Sequence, residues 1–287
     1  MARAIGGLLF IIALLYPSRL AGERPYFVTY DHQMEEPGNL ELAINPTIGI
    51  PKRANGFVGT TVELEYGLKG WWTTEFYLDS QSTRRDSTLF TGWRWENRFR
   101  LLMREHWINP VLYIEFVDIN GADKSLKEIV GHDSEEDLAT PNREARLERK
   151  REIEAKLILS SNFKGWNVSE NFIAEKNLTN EPWEFGYAFG FNRPLGLEAS
   201  SVACNFCREN FHAGVELFGG LGDWHTFGLK NTSHYVCPLL SWELRNGTTI
   251  RFSPAFGLTG QSTRALLRFS ISYEVQGFGR HLRRRSR

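Results

Sequence analysis

From Asn39 onward the chain alternates apolar and polar residues at a period of two, in twelve stretches separated by turn-forming residues. Successive strand side chains point to opposite faces, so this period predicts strands with one apolar and one polar side. The stretches are Asn39–Ile50, Phe57–Tyr66, Trp71–Ser80, Thr88–Leu101, Pro110–Ile119, Glu152–Ser161, Trp166–Lys176, Trp183–Asn192, Asn210–Gly219, Tyr235–Leu244, Thr249–Leu258 and Arg264–Tyr273. In Trp183–Phe191 every odd position is a large aromatic, and the even positions hold only an acid, glycine and alanine. A soluble sandwich has little reason to build such a stripe. A transmembrane barrel does, because its two strand faces meet lipid and lumen. The pattern therefore predicts an all-β fold, a transmembrane antiparallel up-and-down β-barrel of about twelve strands.

The outward stripe runs through Leu42 and Ile44, Phe76 and Leu78, Trp93 and Trp95, Leu112 and Ile114, Phe252 and Phe256, and Phe269 and Ile271. One strand breaks it, because Glu170 shares the parity of Val168 and Phe172. Either a bulge shifts the register there, or that strand does not face lipid along its length. Connections are expected to alternate short with long. The short set is Leu68-Lys69-Gly70, Phe163-Lys164-Gly165 and Arg245-Asn246-Gly247; the long set includes 120–151 and 220–234. If the tight turns are periplasmic, both termini are periplasmic too.

The opposite parity collects the acids Glu41, Glu63, Glu65, Glu75, Asp79, Glu96, Glu115, Glu154, Glu184 and Glu216. Against them stand Arg94, Arg98, Arg100, Lys156, Arg251 and Arg268, an excess of ten acids to six bases. Buried charges are costly unless paired or hydrated, so this lumen must be wet, salt-bridged, or both. Two readings follow. Acid and guanidinium ladders can fill a narrow barrel and lock its strands. Alternatively the same residues line a selective pore, whose acidic excess favours cations or neutral polar solutes over anions.

The first residues change the picture of location. Met1-Ala2-Arg3 precedes an apolar run from Ala4 to Tyr16, a Pro17-Ser18 break and the small pair Ala21-Gly22. This reads as a secretory signal at 1–22, with the barrel at 23–279 and a basic tail at 280–287. Thirteen apolar residues are too few to span about 30 Å of hydrocarbon. Formal net charge is zero, which gives no support to a nucleic-acid partner. The expected partners are outer-membrane lipids and small solutes or ions, with no cofactor and no metal.

Smaller features carry weaker chemistry. In the long loop, Thr140-Pro141 is placed to start a short helix through Arg151, which either lies solvated, folds inward as a constriction or holds lipid phosphates. The run Asp133–Asp137 offers oxygen ligands but lacks the spacing of a calcium loop. Asp31, His32, Glu35 and Glu36 are read as a lead-in capping the barrel mouth rather than a metal site. Cys204 and Cys207 form a lone C-x-x-C, which in an oxidising compartment closes a small disulfide before the ninth strand. His106, His212, His225 and His234 show no hydrolase signature, so no enzymatic activity is expected.

The segments Phe27–Glu41, Trp71–Tyr77 and Gly219–Asp223 resemble a family of uncharacterised bacterial outer-membrane proteins, over about Tyr26 to Gly279. A more distant similarity is to transporter-like outer-membrane proteins found with aromatic-degradation pathways. The resemblance implies the barrel and the outer membrane of a Gram-negative-type bacterium, and no substrate. The chain departs from the usual barrel ending, because a basic Arg283-Arg284-Arg285 tail follows Tyr273 and Phe278. The function expected is a porin-like channel or transporter for small polar solutes or cations. The alternatives are a plugged structural or surface-interaction barrel and, behind it, a lipid hydrolase.

Overall fold

The computed structural model describes residues 25–280 apart from 126–129, 133–137, 180 and 203. The signal segment, the acidic run 133–137 and the arginine tail lie outside the described residues. Twelve strands are present: β1 Leu40–Ile50, β2 Phe57–Lys69, β3 Trp72–Thr83, β4 Thr88–Arg100, β5 Asn109–Asn120, β6 Arg149–Phe163, β7 Trp166–Asn177, β8 Trp183–Pro194, β9 Phe211–Asp223, β10 His234–Glu243, β11 Thr248–Gly257 and β12 Ala265–Val275. Each pairs antiparallel with its sequence neighbour, and β12 returns to pair with β1, closing the barrel. Closure leaves no strand edge unpaired, as a hydrocarbon environment demands.

The alternation places the faces as their parity predicts. In β8, Trp183 and Phe191 are exposed, while Ala188 and Gly190 point inward and are buried. Glu170 stays on the outer face. The register from β6 through β7 to β8 is unbroken there, pairing it with Leu159 and Phe189, so no bulge rescues it. It lies four residues from Trp166 at the strand end, near the level where polar groups meet headgroups.

Turn chemistry fixes the hairpins at the end of the barrel that also carries the termini, here called the turn end. Lys164 and Gly165 join β6 to β7 with φ of 50° and 80°, the pair of positive angles a type I′ turn requires. The expected alternation of short and long connections is incomplete. The connection 84–87 is short although it lies at the opposite, loop end, and 195–210 is long although it lies at the turn end. The latter carries the Cys204–Cys207 disulfide. Aromatic residues ring both ends. Trp71, Trp72 and Phe99 stack at the turn end, and Phe185 meets Trp224 and Phe227 at the loop end. Such girdles suit a membrane interface.

Two expectations are corrected. The helix after Pro141 covers only Asn142–Ala145, and β6 begins at Arg149. β5 offers Arg149–Arg151 a ladder through Asp118–Asn120, and Arg149 pairs with Asp118 at 2.7 Å, so strand pairing wins. Asp31 and His32 do more than cap the mouth, although His32 does reach Glu105 in the turn-end connection between β4 and β5. They are buried inside the barrel, as part of a segment that runs up the lumen from Gly38. The core is therefore internal. Val28 of that segment packs with Phe57, Leu138, Ala188, Phe218, Tyr235 and Leu266.

Candidate functional site

The lumen has three parts: an ion-pair ladder, an internal strap and a cavity. The ladder stands on β2–β6, where inward parity brings acids and bases to adjacent strands. Arg98 is fully buried and is shared by Glu65, Glu75 and Glu96. Arg94 pairs with Asp79 at 2.9 Å and Glu115 at 3.0 Å, and Lys156 pairs with Glu154 at 2.9 Å. Tyrosines complete it. Tyr77 donates to Glu96 at 2.5 Å and also to Glu75, and Tyr113 donates to Glu115 at 2.9 Å. Arg94 lies over the Tyr77 ring and Lys156 over the Tyr113 ring. Pairing of this kind offsets the desolvation of buried charges, and removing one partner would leave the others uncompensated.

The strap is residues 25–38. At its root Gly38 N–H donates to the Gly67 carbonyl at 2.7 Å, and Gly279 N–H donates to that of Gly38. Higher up, His32 bonds Ser160 at 2.8 Å through Nδ1 and Glu105 at 2.9 Å through Nε2. Asn171 imitates a strand partner for Tyr30, accepting its N–H at 2.6 Å and donating to its carbonyl at 2.8 Å. The Tyr30 hydroxyl donates to Glu96 at 2.9 Å. Above it the amides of Phe27, Val28 and Thr29 all converge on the Glu216 carboxylate, at 2.9–3.2 Å. Three successive N–H groups around one anion form a backbone nest. Arg251 donates to the Tyr26 carbonyl at 3.1 Å, and the Tyr26 hydroxyl to Asn167 at 2.9 Å.

The strap explains the small inner face of β8. A Cβ on Gly190 would lie 2.4 Å from the Tyr26 ring, and Ala188 packs in the cluster that holds Val28. Burial raises the Glu35 carboxyl to about 8, with Glu274 adding to the effect. Described residues of the 121–148 connection cover the strap from the loop end. Gln81 fixes Ala122 and Lys124 at 2.8 Å each, and Leu138 packs in the Val28 cluster. Arg143 and Arg146 stay exposed, so the described residues of this connection are partly inward and partly solvated.

Between strap and wall lies a cavity of about 190 Å³, with Phe27–Tyr30 on one side. Of the inward residues expected from sequence, Glu63, Arg94, Glu115, Glu154, Lys156, Arg251 and Arg268 line it. Glu152, Glu175 and Lys150 join them, so acids and bases there are balanced. Glu65, Glu75, Glu96 and Arg98 instead form the ladder, Glu216 holds the strap, and Arg100 reaches Glu105 at 3.5 Å. Glu184 faces inward at the loop end, beside Gly131. Glu41, Glu63 and Glu65 bring carboxylate oxygens within 4.8 Å of one another, which makes the β1–β2 wall the acidic side.

Sequence reasoning missed the strap and the His32 contacts, because the partners lie far apart in sequence, 66 residues for Tyr30 and Glu96 and 189 for Phe27 and Glu216. Ser160, His32 and Glu105 are linked as serine, histidine and acid. The serine, however, is buried and also bonded to Ser169 at 2.9 Å and Asn167 at 3.2 Å, so the linkage ties the strap to the wall.

No protein-family model matches the sequence, and neither does any curated protein. Among solved structures, the barrel resembles an outer-membrane channel from Pseudomonas putida F1, with a TM-score of 0.58 and 10% identity over 87% of this chain and all of that one. Lesser likenesses are to the NanC porin, at 0.46 with 10% identity over 82% of this chain and all of that one, and to LpxR from Salmonella typhimurium, at 0.38 with 11% identity over 81% and 99%. The fold is that of a bacterial outer-membrane β-barrel.

Proposed function

We propose that this protein is an outer-membrane channel for small polar solutes whose path is narrowed by its own N-terminal strap. The observation that carries the reading is the charge-lined cavity of about 190 Å³ directly against the strap. A barrel built only as a scaffold would be expected to pack its interior with side chains, because close packing stabilises an interior. The strap is held by hydrogen bonds and by two apolar clusters, one around Val28 and one where Tyr30 and Met34 meet Val111, Tyr113 and Ile158, rather than by strand pairing, so its release would leave the barrel's strand ladders intact. The acidic β1–β2 wall favours cations among charged solutes, while the balanced cavity lining keeps that preference modest. The outer membrane is the location this reading requires, and no hydrolytic role is included, since Ser160 is buried and fully bonded.

A second reading is supported by the ladder around Arg98, which suits a salt-bridged structural barrel without transport. Liposome swelling separates the two. Proteoliposomes should swell in isotonic arabinose faster than protein-free vesicles and no faster in raffinose. Equal rates with and without protein in both sugars would leave the structural barrel as the better reading.

A further inference from the structure

The geometry points to Arg268 as an anion-recognition residue inside the lumen, holding the carboxylate of a small monoanionic solute. Arg268 sits on the inner face of β12, is only 6% exposed and lines the cavity. Among the described residues its guanidinium makes no ion pair and no hydrogen bond, and Nη1 is a buried donor without an acceptor. Its guanidinium carbon lies 4.8 Å from the centroid of the Phe218 ring. Every other buried lumen base named above has protein oxygens on it. A buried charge without a counter-ion is costly, and a face-on aromatic ring offsets only about 0.5–2 kcal/mol of that. The remainder calls for water or an anion.

The neighbouring acids make their hydrogen bonds to other groups and no ion pair with Arg268. Glu216 is occupied by the amides of Phe27, Val28 and Thr29, and Glu63 accepts from Asn45 at 2.8 Å. Ser253, directly across the register from Arg268 on β11, has a buried hydroxyl that also lacks a partner. A guanidinium fork with a hydroxyl beside it matches the two oxygens of a carboxylate. A phosphate dianion is disfavoured, since a single unpaired cation would face two charges with Glu63 on the same cavity wall. A cavity of about 190 Å³ suits a solute with few heavy atoms.

The assignment rests on the solute-path reading, but binding is measured without conduction. Saturation-transfer NMR on the detergent-solubilised full chain uses butyrate as probe and butyramide as its neutral match. Butyrate should receive saturation and butyramide should not, R268Q should weaken butyrate at least tenfold, and R268K should weaken it less. Fold in each variant is checked by faster migration on an unboiled gel, and R268K keeps the test alive should R268Q fail to assemble. No transfer to butyrate, or equal transfer in folded R268Q, overturns the proposal. Displacement of butyrate by inorganic phosphate at lower concentration than by acetate overturns the carboxylate assignment. Butyrate binding in a protein that swells no liposomes would sink the channel reading and leave the site standing.

Discussion

Replacing Glu216 by Gln should loosen the strap while leaving the barrel intact. Glu216 is fully buried in the middle of β9 and takes three consecutive backbone N–H groups, two of them on Oε1 alone within 3.0 Å. Hydrogen bonds to a charged acceptor contribute about 1.5–3 kcal/mol each, against about 1 kcal/mol for neutral ones. Glutamine keeps one acceptor oxygen and turns an amide toward the remaining donor, so the loss of strap docking should be about 2–4 kcal/mol. At about 1.4 kcal/mol per factor of ten, this raises the undocked fraction by about two orders of magnitude. Hydrogen exchange reads it directly: the amides of residues 27–29 should lose protection by that factor, while those of β3 and β4 around Arg98 keep theirs. Unchanged protection at residues 27–29 in a heat-modifiable, folded E216Q barrel would refute the nest as the strap's anchor.

The Glu35 carboxyl sits at about 8, above its unfolded value of about 4.5, so its contribution to strap docking is fully present below about pH 4.5 and is lost as pH rises through about 8. Proteolysis of the strap should therefore quicken between pH 5 and 9, and E35Q should flatten that profile; an opposite slope contradicts it. Phe252→Arg should impair assembly by about 2–4 kcal/mol if it lies near the bilayer midplane, and Thr61→Arg, which faces the cavity, should be tolerated. Equal yields of heat-modifiable protein would show the faces to be misassigned. Removing Arg98 as R98A should cost about 3–5 kcal/mol, read as a lower melting temperature in detergent, because three acids lose their shared cation. Glu41→Gln with Glu63→Gln should reduce cation preference in reversal-potential measurements, and the exposed Glu144→Gln should not. Glu65 and Glu75 are unsuitable for that test, because their loss would strip Arg98 of partners.

The barrel was legible because its two faces obey one rule along most of each strand, so parity alone located Glu63, Arg94, Arg98 and Arg268 on the lumen side. Glu170 breaks the rule on the outer face, where an acid at a strand end is tolerated. The strap was not legible as lumen filling. Residues 26–36 carry no periodicity, and their partners Asn171, Glu216 and Arg251 lie far away in sequence. One signal was present in the small residues Ala188 and Gly190 opposite the aromatic stripe. They read as a narrow inner face, and in fact they make room for Tyr26 and Val28. The charge count gave the composition of the lumen but not its arrangement. Ten acids against six bases suggested an excess favouring cations or neutral solutes, and the structure distributes it unevenly, with acids gathered on the β1–β2 wall and a balanced cavity lining.

The central claim, a solute path narrowed by a releasable strap, is tested most directly by single-channel current in planar bilayers. The full chain is compared with a variant lacking residues 25–34, both shown to be folded by heat modifiability. The account predicts small, intermittent openings in the full chain and larger, sustained conductance in the deletion. Silent bilayers for both proteins, or the same conductance from both, would contradict it.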